Sequence, residues 1–372
     1  MIEVARKIIN DRMKLERLSG FYGSPVFKQK KENISEQEIE HFQRQLLEQG
    51  IVSSLDSSED DFILKVLRAG GAQKPKRFIT NIILFLLTFL TTLVTGSMLI
   101  GLNPFESWAQ LFAGWPYSFA LLTILLGHEL GHYFAARYYG VQVTLPYFIP
   151  FFAPFFFHPG TMGAFIKMRS SIPHKKALFD IGIAGPLSSF ILSIFFLVWG
   201  FSHLPDLQGI YDFIVQIHPL DNEDGLNLVL GNTLIYDWIA ALFNGHRLPM
   251  NEIYHFHYIF AGWFGLLVTA INLMPIGQLD GGHITYAMFG DRARLIAFGA
   301  FFLLIILNVY LISHLNSYIW VLWILLILFF IRFRHPPTLD DSIVIDTKRK
   351  VLGYVSYVIF IVSFSPLPFH IY

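Results

Sequence analysis

Three ionisable residues fall within five positions at His128, Glu129 and His132, in the run His128-Glu129-Leu130-Gly131-His132. On an α-helix, residues four apart share a face. Both imidazoles can therefore approach one cation from the same side. Two histidines at this spacing, with a carboxylate directly after the first, form the pattern by which a helix binds zinc and presents a general base. The residues leading into it, WPYSFALLTILLG from Trp115 to Gly127, are apolar enough for a bilayer interior. A mundane alternative is a pair of hydrogen-bonded histidines inside a helical bundle. The cost of inserting three ionisable groups into such a helix argues against it.

Zinc hydrolases commonly use three protein ligands and keep one position open. The chain has no cysteine, so the third ligand must come from a histidine or a carboxylate. The best candidate is Asp280, in the run INLMPIGQLDGGH from Ile271 to His283. Pro275 breaks the helix before it. Gly281 and Gly282 after it let backbones approach closely, so a turn can aim Asp280 at the metal. Asp280 could instead cap a helix starting near His283. A carboxylate that offsets the charge of a bilayer-level cation is the stronger reading. His283 is a rival ligand, ranked lower because a carboxylate matches that charge better. Asn272 could donate a hydrogen bond to a substrate carbonyl or oxyanion, or bond another helix. His255 and His257, set among aromatics, read as interfacial and away from the metal. Gly185-Pro186 with Ser188 and Ser189 reads as close helix packing.

These residues need apolar elements to position them, and the composition supplies them. Of 372 residues 54% are hydrophobic and 15% charged, against about 25% charged in soluble domains. That balance predicts an integral membrane protein. The net charge is zero, which gives no bias toward nucleic acid. Apolar stretches near the ~20 residues needed to cross a bilayer occur at 78–101, 116–139, 178–201, 258–276, 295–314, 317–332 and 351–371. The short link SHLNS would make the fifth and sixth a tight helical hairpin. Basic residues alternate as seven spans require. Lys74, Lys76 and Arg77 precede the first span, and no Lys or Arg lies between Gly101 and Trp115. Arg137, Lys167, Arg169, Lys175 and Lys176 follow the second span, and loop 202–257 has only Arg247. Arg292 and Arg294 come next, then Arg332, Arg334, Lys348, Arg349 and Lys350. The N-terminus is thus expected in the cytoplasm and the C-terminus outside.

Two segments break the helical pattern. Residues 141–168 are apolar but carry four prolines and two glycines, and GTMGAFIKM within them reads as an extended strand. Irregular backbone at membrane depth must lie against protein or a water-filled cavity. A re-entrant loop or hairpin with a free strand edge is expected. Residues 225–245 read as an interfacial helix or a half-span. The expected fold is an all-α polytopic membrane protein with about seven transmembrane helices and a re-entrant, β-like segment near the active site. Residues 1–76 form a polar, partly helical N-terminal cytoplasmic region, either a small solvated domain or a tether. One amphipathic helix there starts on a Ser35–Glu38 capping box, buries Ile39, Phe42 and Leu46, and stops at Gly50. Residues 77–290 form the catalytic membrane core and 291–372 the C-terminal transmembrane helices. The first twenty residues are charged and lack an apolar core segment, so no secretory signal or organellar transit peptide is expected.

With His128-Glu129-Leu130-Gly131-His132 and Asn272-x-x-Pro275-x-x-x-Leu279-Asp280-Gly281 both in place, the chain resembles the site-2 protease family of intramembrane zinc metalloproteases. It is most similar to the branch of chloroplast proteins named for ethylene-dependent, gravitropism-deficient and yellow-green phenotypes, with their bacterial relatives. Matching stretches include GHELGHYFAARYYGV, PYFIPF, GAFIKMRSSIPHKKALFDIGIAGPL and AGWFGLLVTAINLMPIGQLDGGH, over roughly 78–290. The resemblance implies one Zn2+ on His128, His132 and Asp280, with Glu129 activating water. It implies Asn272 near the substrate, Pro275 and Gly281 as the structural turn, and a strand with Gly163, Ala164 and Phe165 that pairs with unwound substrate. The activity implied is hydrolysis of peptide bonds in or near transmembrane segments, as in regulated intramembrane proteolysis. The partners implied are transmembrane proteins and the lipid bilayer, without nucleic acid. The expected location is a bacterial inner membrane. No Gly-x-x-Arg motif of the plant branch and no PDZ or CBS domain is visible. A membrane metal transporter and a non-catalytic scaffold that keeps the fold are the alternative classes.

Overall fold

Short polar helices need caps, and the first such cap is built as the capping-box pattern predicts. The Ser35 backbone N–H donates to Glu38 Oε2 at 3.1 Å, and the Glu38 N–H donates to Ser35 Oγ at 3.3 Å. The computed structural model describes residues 2–9, 12–16, 26–49, 52–57, 60–67, 78–153, 158–218, 228–243, 248–331, 333 and 335–371. The expected stop at Gly50 and the basic residues Lys74, Lys76, Arg77, Arg247, Arg332 and Arg334 lie outside the described residues.

The N-terminal unit holds more than the expected helix. It runs α1 (Ile2–Ile9), β1 (Lys14–Glu16), β2 (Val26–Lys30), α2 (Glu36–Glu48), β3 (Val52–Ser57) and β4 (Asp61–Leu67). The strands form an antiparallel sheet in the order β1-β2-β4-β3. Ile39, Phe42 and Leu46 of α2 pack with Ala5 and Ile9 of α1 and with Phe27, Phe62 and Leu64 of the sheet. Phe62 and Leu64 bury on one face of β4 because strand side chains alternate. The Ser35 N–H holds the Glu38 carboxyl below its ordinary 4.5. A carboxylate depressed in the fold stabilises it above its unfolded pKa, so this contribution fades as pH falls through and below 4.5. Ser35→Ala is expected to cost about 1 kcal/mol. Faster hydrogen exchange confined to α2 of the full-length protein checks it.

The apolar part begins with α3 (Ile79–Leu99), α4 (Trp108–Ala113) and α5 (Trp115–Tyr138). A two-stranded antiparallel hairpin follows, β5 (Tyr147–Pro150) with β6 (Thr161–Phe165). Next come α6 (Lys175–Ser202), α7 (Leu207–Ile217), β7 (Leu228–Leu230), α8 (Leu234–Leu242) and α9 (His257–Leu273). The chain ends with α10 (Asp280–Phe289), α11 (Ala293–Leu315), α12 (Val321–Leu326), α13 (Thr347–Ser363) and β8 (Phe369–Ile371). The fold is therefore mostly helical, with three small sheets among the described residues.

Four stretches are long and apolar enough to cross a membrane: α3, α5, α6 and Asp280–Leu315. The last is not one helix. Gly290 has φ +57°, a left-handed conformation that interrupts helical bonding, so α11 carries the apolar run. α9 is shorter, at 17 residues, or about 26 Å at 1.5 Å per residue. Among the described residues, the stretch 317–332 is helical through α12 and the π-turn Ile327–Ile331. That is about 17 Å of described helix. Segment 225–245 contains β7 and α8, with 225–227 and 244–245 outside the described residues.

α5, α6 and α9 pack against one another, with α3 against α5 and α10 against α6. Their core includes Tyr117, Leu121, Leu197, Phe260, Trp263 and Leu266, each fully or almost fully buried. Small residues permit the approach of α5 and α6. A Cβ on Gly131 would lie 2.5 Å from the Ala184 carbonyl oxygen.

Candidate metal centre

The metal motif sits where α5 meets α6. His128, Glu129 and His132 are all buried on α5. Asp280 reaches them because the chain breaks after Leu273. Met274 leaves the helix with ψ 131°, Pro275 cannot supply the next N–H, and Gly277 takes φ +55°. α10 then starts at Asp280, with Leu279 as its N-cap residue. Asp280 is thus the first helical residue and not a cap. A Cβ on Gly281 would lie 2.0 Å from the Leu273 carbonyl oxygen, and one on Gly282 2.3 Å from that of Gly277. Side chains there would push the turn, and Asp280 with it, out of place.

The donor atoms converge. His128 Nε2 and His132 Nε2 lie 3.1 Å apart, and Asp280 Oδ2 lies 3.3 Å from each. Zinc bonds of ~2.0–2.2 Å in tetrahedral geometry separate ligand atoms by about 3.3–3.5 Å. Two imidazole nitrogens and a carboxylate oxygen at these separations fit that ion.

The proton positions fit as well. His132 Nδ1 lies 2.7 Å from the Ile181 carbonyl of α6. A carbonyl only accepts, so Nδ1 carries the proton and Nε2 is left with its lone pair. His128 Nδ1 lies 3.1 Å from Ser189 Oγ, which lies 2.9 Å from Thr269 Oγ1. Thr269 Oγ1 donates to the Gly265 carbonyl at 2.7 Å. One direction satisfies this chain: His128 Nδ1–H to Ser189, Ser189 O–H to Thr269, Thr269 O–H to Gly265. It too leaves Nε2 free to bind a metal. Ser189→Ala removes the acceptor behind His128. Zinc affinity at this centre is expected to fall about 10–100-fold, measurable by competition with a chromogenic chelator.

The other expected residues divide. Asn272 Nδ2 lies 3.4 Å from His128 Nε2, so it borders the donor set. His283 does not join that set; its Nδ1 lies 2.6 Å from His335 Nε2. His255 and His257 are at the far end of α9, away from the metal as expected, and both are bonded inward. His255 Nδ1 meets the Leu99 carbonyl, and His257 Nε2 lies 2.7 Å from the Gly96 carbonyl. Gly185 does more than pack. A Cβ there would lie 2.2 Å from His132 Nε2, so this glycine makes the space the imidazole fills. The roles of Gly185, Ser189, Thr269 and the Ile181 carbonyl around the two rings went unseen in the sequence, where small residues in an apolar helix signal packing alone.

Gly163, Ala164 and Phe165 lie on β6. Ala164 pairs with Phe148 and Phe165 with Tyr147 of β5. Among the described residues the other edge of β6 pairs with no strand. The hairpin is held by Asn81 Nδ2, which donates to the Leu145 and Pro146 carbonyls, and by Thr91 Oγ1, which donates to that of Gly160. β6 also packs against α5, the helix that carries Glu129. The hairpin therefore lies beside the metal motif. Residues 154–157 of the expected irregular segment lie outside the described residues.

The Peptidase family M50 model matches residues 116–307, more than half of the chain and every residue of the donor set. The chain belongs to peptidase family M50. It is 30% identical over 261 residues to "Probable zinc metalloprotease EGY1, chloroplastic" of Arabidopsis thaliana, covering 68% of this chain and 43% of that protein. The rice (Oryza sativa subsp. japonica) protein of the same description is 32% identical over 254 residues, covering 68% and 40%. "Probable zinc metalloprotease EGY2, chloroplastic" of Arabidopsis thaliana is 28% identical over 268 residues, covering 72% and 44%. The chain thus spans about two-fifths of the length of these relatives. No solved structure matches it. Family M50 membership and the long apolar helices make this an integral membrane protein.

Proposed function

We propose that this M50 protein is an intramembrane zinc metalloprotease that hydrolyses peptide bonds in or beside transmembrane segments of membrane proteins. The observation that carries the reading is the convergence of His128, His132 and Asp280 beside Glu129, with the open edge of β6 alongside. When bound, zinc supplies Lewis-acid polarisation of a peptide carbonyl and acidifies a water molecule toward neutral pH. His128, His132 and Asp280 would hold it. Glu129 takes the proton of the attacking water on its carboxylate and passes it to the leaving amine. Asn272 donates its amide N–H toward the charge developing on the carbonyl oxygen. A substrate helix must unwind, because its backbone is otherwise bonded internally. Gly163, Ala164 and Phe165 offer it replacement bonds by strand addition.

The seven-crossing topology, with 77–290 as catalytic core and 291–372 as C-terminal helices, draws support from contacts at two opposite ends of the bundle. At one end, the Leu339 N–H donates to the Ile172 carbonyl at 3.0 Å, and Arg349 forks onto Asp180 at 2.8 and 2.6 Å. At the other, β7 pairs with β8, and Trp320 Nε1 donates to the Pro366 carbonyl at 2.7 Å. The chain from Trp320 to Leu339 must then traverse the bundle, and α13 must return. Arg137, Lys167, Arg169, Lys175 and Lys176 gather at the first end, which favours the cytoplasm there. In this reading 1–76 is cytoplasmic, the β5–β6 hairpin is re-entrant, and the membrane is a bacterial inner membrane. The partners are transmembrane substrates and lipid, with no role for nucleic acid.

The test is purified protein in proteoliposomes with single-span substrate proteins. Cleavage within the span that stops on chelation and resumes with zinc supports the proposal. Zinc flux across the vesicle without cleavage would instead indicate a transporter. Bound zinc with neither activity would indicate a scaffold.

A further inference from the structure

The far end of α9 carries a second group of ligating side chains. His218, at the C-terminal end of α7, places Nε2 2.8 Å from His255 Nε2. Glu252 Oε2 lies 3.4 Å from the same nitrogen, and the three donor atoms all fall within 4.8 Å of one another. His255 ends the 3-10 turn Ile253–His255 just before α9. The offset of seventeen positions from it to Asn272 puts this group about 25 Å from the M50 metal centre.

Proton accounting shows what the group lacks. His255 Nδ1 meets the Leu99 carbonyl, so that nitrogen carries the proton and Nε2 presents its lone pair. Glu252 Oε1 accepts from Asn251 Nδ2 at 2.5 Å. Glu252 Oε2 is buried and accepts no hydrogen bond among the described residues. Two acceptors therefore face each other, the Glu252 oxygen itself being buried. The one N–H that His218 Nε2 can offer satisfies only one of them. A cation among the three atoms satisfies all. The same arrangement surrounds His132, which has a carbonyl behind Nδ1 and a carboxylate in front of Nε2. A histidine held this way has the outer partner that metal-binding histidines use.

We propose that His218, Glu252 and His255 form a second metal site, for a zinc-class divalent ion, with a structural role. Two imidazoles and one carboxylate suit such an ion better than Mg2+ or Ca2+, which favour all-oxygen shells. His218 is exposed, which leaves a coordination position open to water. The ion ties the end of α7 to the entry of α9, and through His255 to the end of α3.

The test uses full-length protein in detergent, stripped with a chelator and then re-equilibrated with ZnCl2. Zinc is counted by mass spectrometry, and the melting temperature is followed. Two equivalents are expected in the wild type. His128→Ala/His132→Ala is expected to keep one, with a melting temperature that rises on adding zinc. Adding His218→Ala is expected to remove both the ion and the rise, and its exposed position spares the packing. A His128→Ala/His132→Ala protein that retains no zinc and does not respond to it overturns the proposal, leaving a simple Glu252–His255 ion pair. The readout is independent of proteolysis, so failure here and failure of the protease reading are distinguishable.

Discussion

Glu129→Gln is expected to slow cleavage by about 10²–10⁴-fold, the usual contribution of a positioned general base. The substitution keeps the volume and shape of the side chain and one acceptor oxygen. It removes the ability to take a proton. Because the ion is assigned to His128, His132 and Asp280, whose donor atoms lie 3.1–3.3 Å apart without Glu129, zinc content should stay at the wild-type level. Paired measurements of single-span substrate cleavage in proteoliposomes and of bound metal separate the two effects. A Glu129→Gln protein that cleaves at the wild-type rate removes Glu129 from the reaction. In cells, the same variant should cause uncut substrates to accumulate in the membrane.

Gly185→Ala should be nearly as damaging, for a reason of space. The added Cβ would lie 2.2 Å from His132 Nε2, 2.5 Å from Cδ2 and 2.6 Å from Cε1. No rotamer of the alanine avoids this, so the imidazole must move off its line to Asp280 and the Ile181 carbonyl. Loss of ligand orientation alone weakens metal sites about 10–100-fold, and displacing a ligand ring should do at least that. Overpacking costs about 1–3 kcal/mol, and an alanine in mid-helix recovers about 0.5–1 kcal/mol of that. The protein should therefore stay folded while its metal centre fails. Chelator competition on folded Gly185→Ala protein tests this; wild-type zinc affinity would refute the assignment of space at Gly185.

Much of this centre was legible from residue types. Helical spacing predicted that His128 and His132 share a face, and Pro275 with the Gly281-Gly282 pair predicted the break that delivers Asp280. The apolar runs located α3, α5, α6 and α11 to within a few residues, because a bilayer imposes both length and composition on a helix. Other features leave little trace in sequence. The Ile181 carbonyl behind His132 has no side chain to read. Ser189 and Thr269 resemble ordinary small residues of a packed helix until their hydroxyls are traced to His128. His255 and His257 sit among aromatics, as interfacial residues do, and only the fold reveals the carbonyls of Leu99 and Gly96 against them. The N-terminal sheet was missed because its strands are three to seven residues long, too short for a clear two-residue alternation to stand out. In the stretch 317–332 hydropathy predicted a full span, of which the described helix covers about 17 Å.

The shortness of α9 is hidden from the surrounding lipid. At about 26 Å it falls short of a ~30 Å hydrocarbon layer, yet none of its residues is exposed, because α5, α6 and α13 pack around it. Its neighbour α6, with 28 residues, reaches about 42 Å and faces outward at Ile191 and Phe195. A helix enclosed in this way escapes the mismatch that a lipid-facing helix relieves by tilting or by thinning the bilayer. The short central helix thus ends inside the protein, and the polar turn before Asp280 begins at a depth set by the helices around it and not by acyl chains.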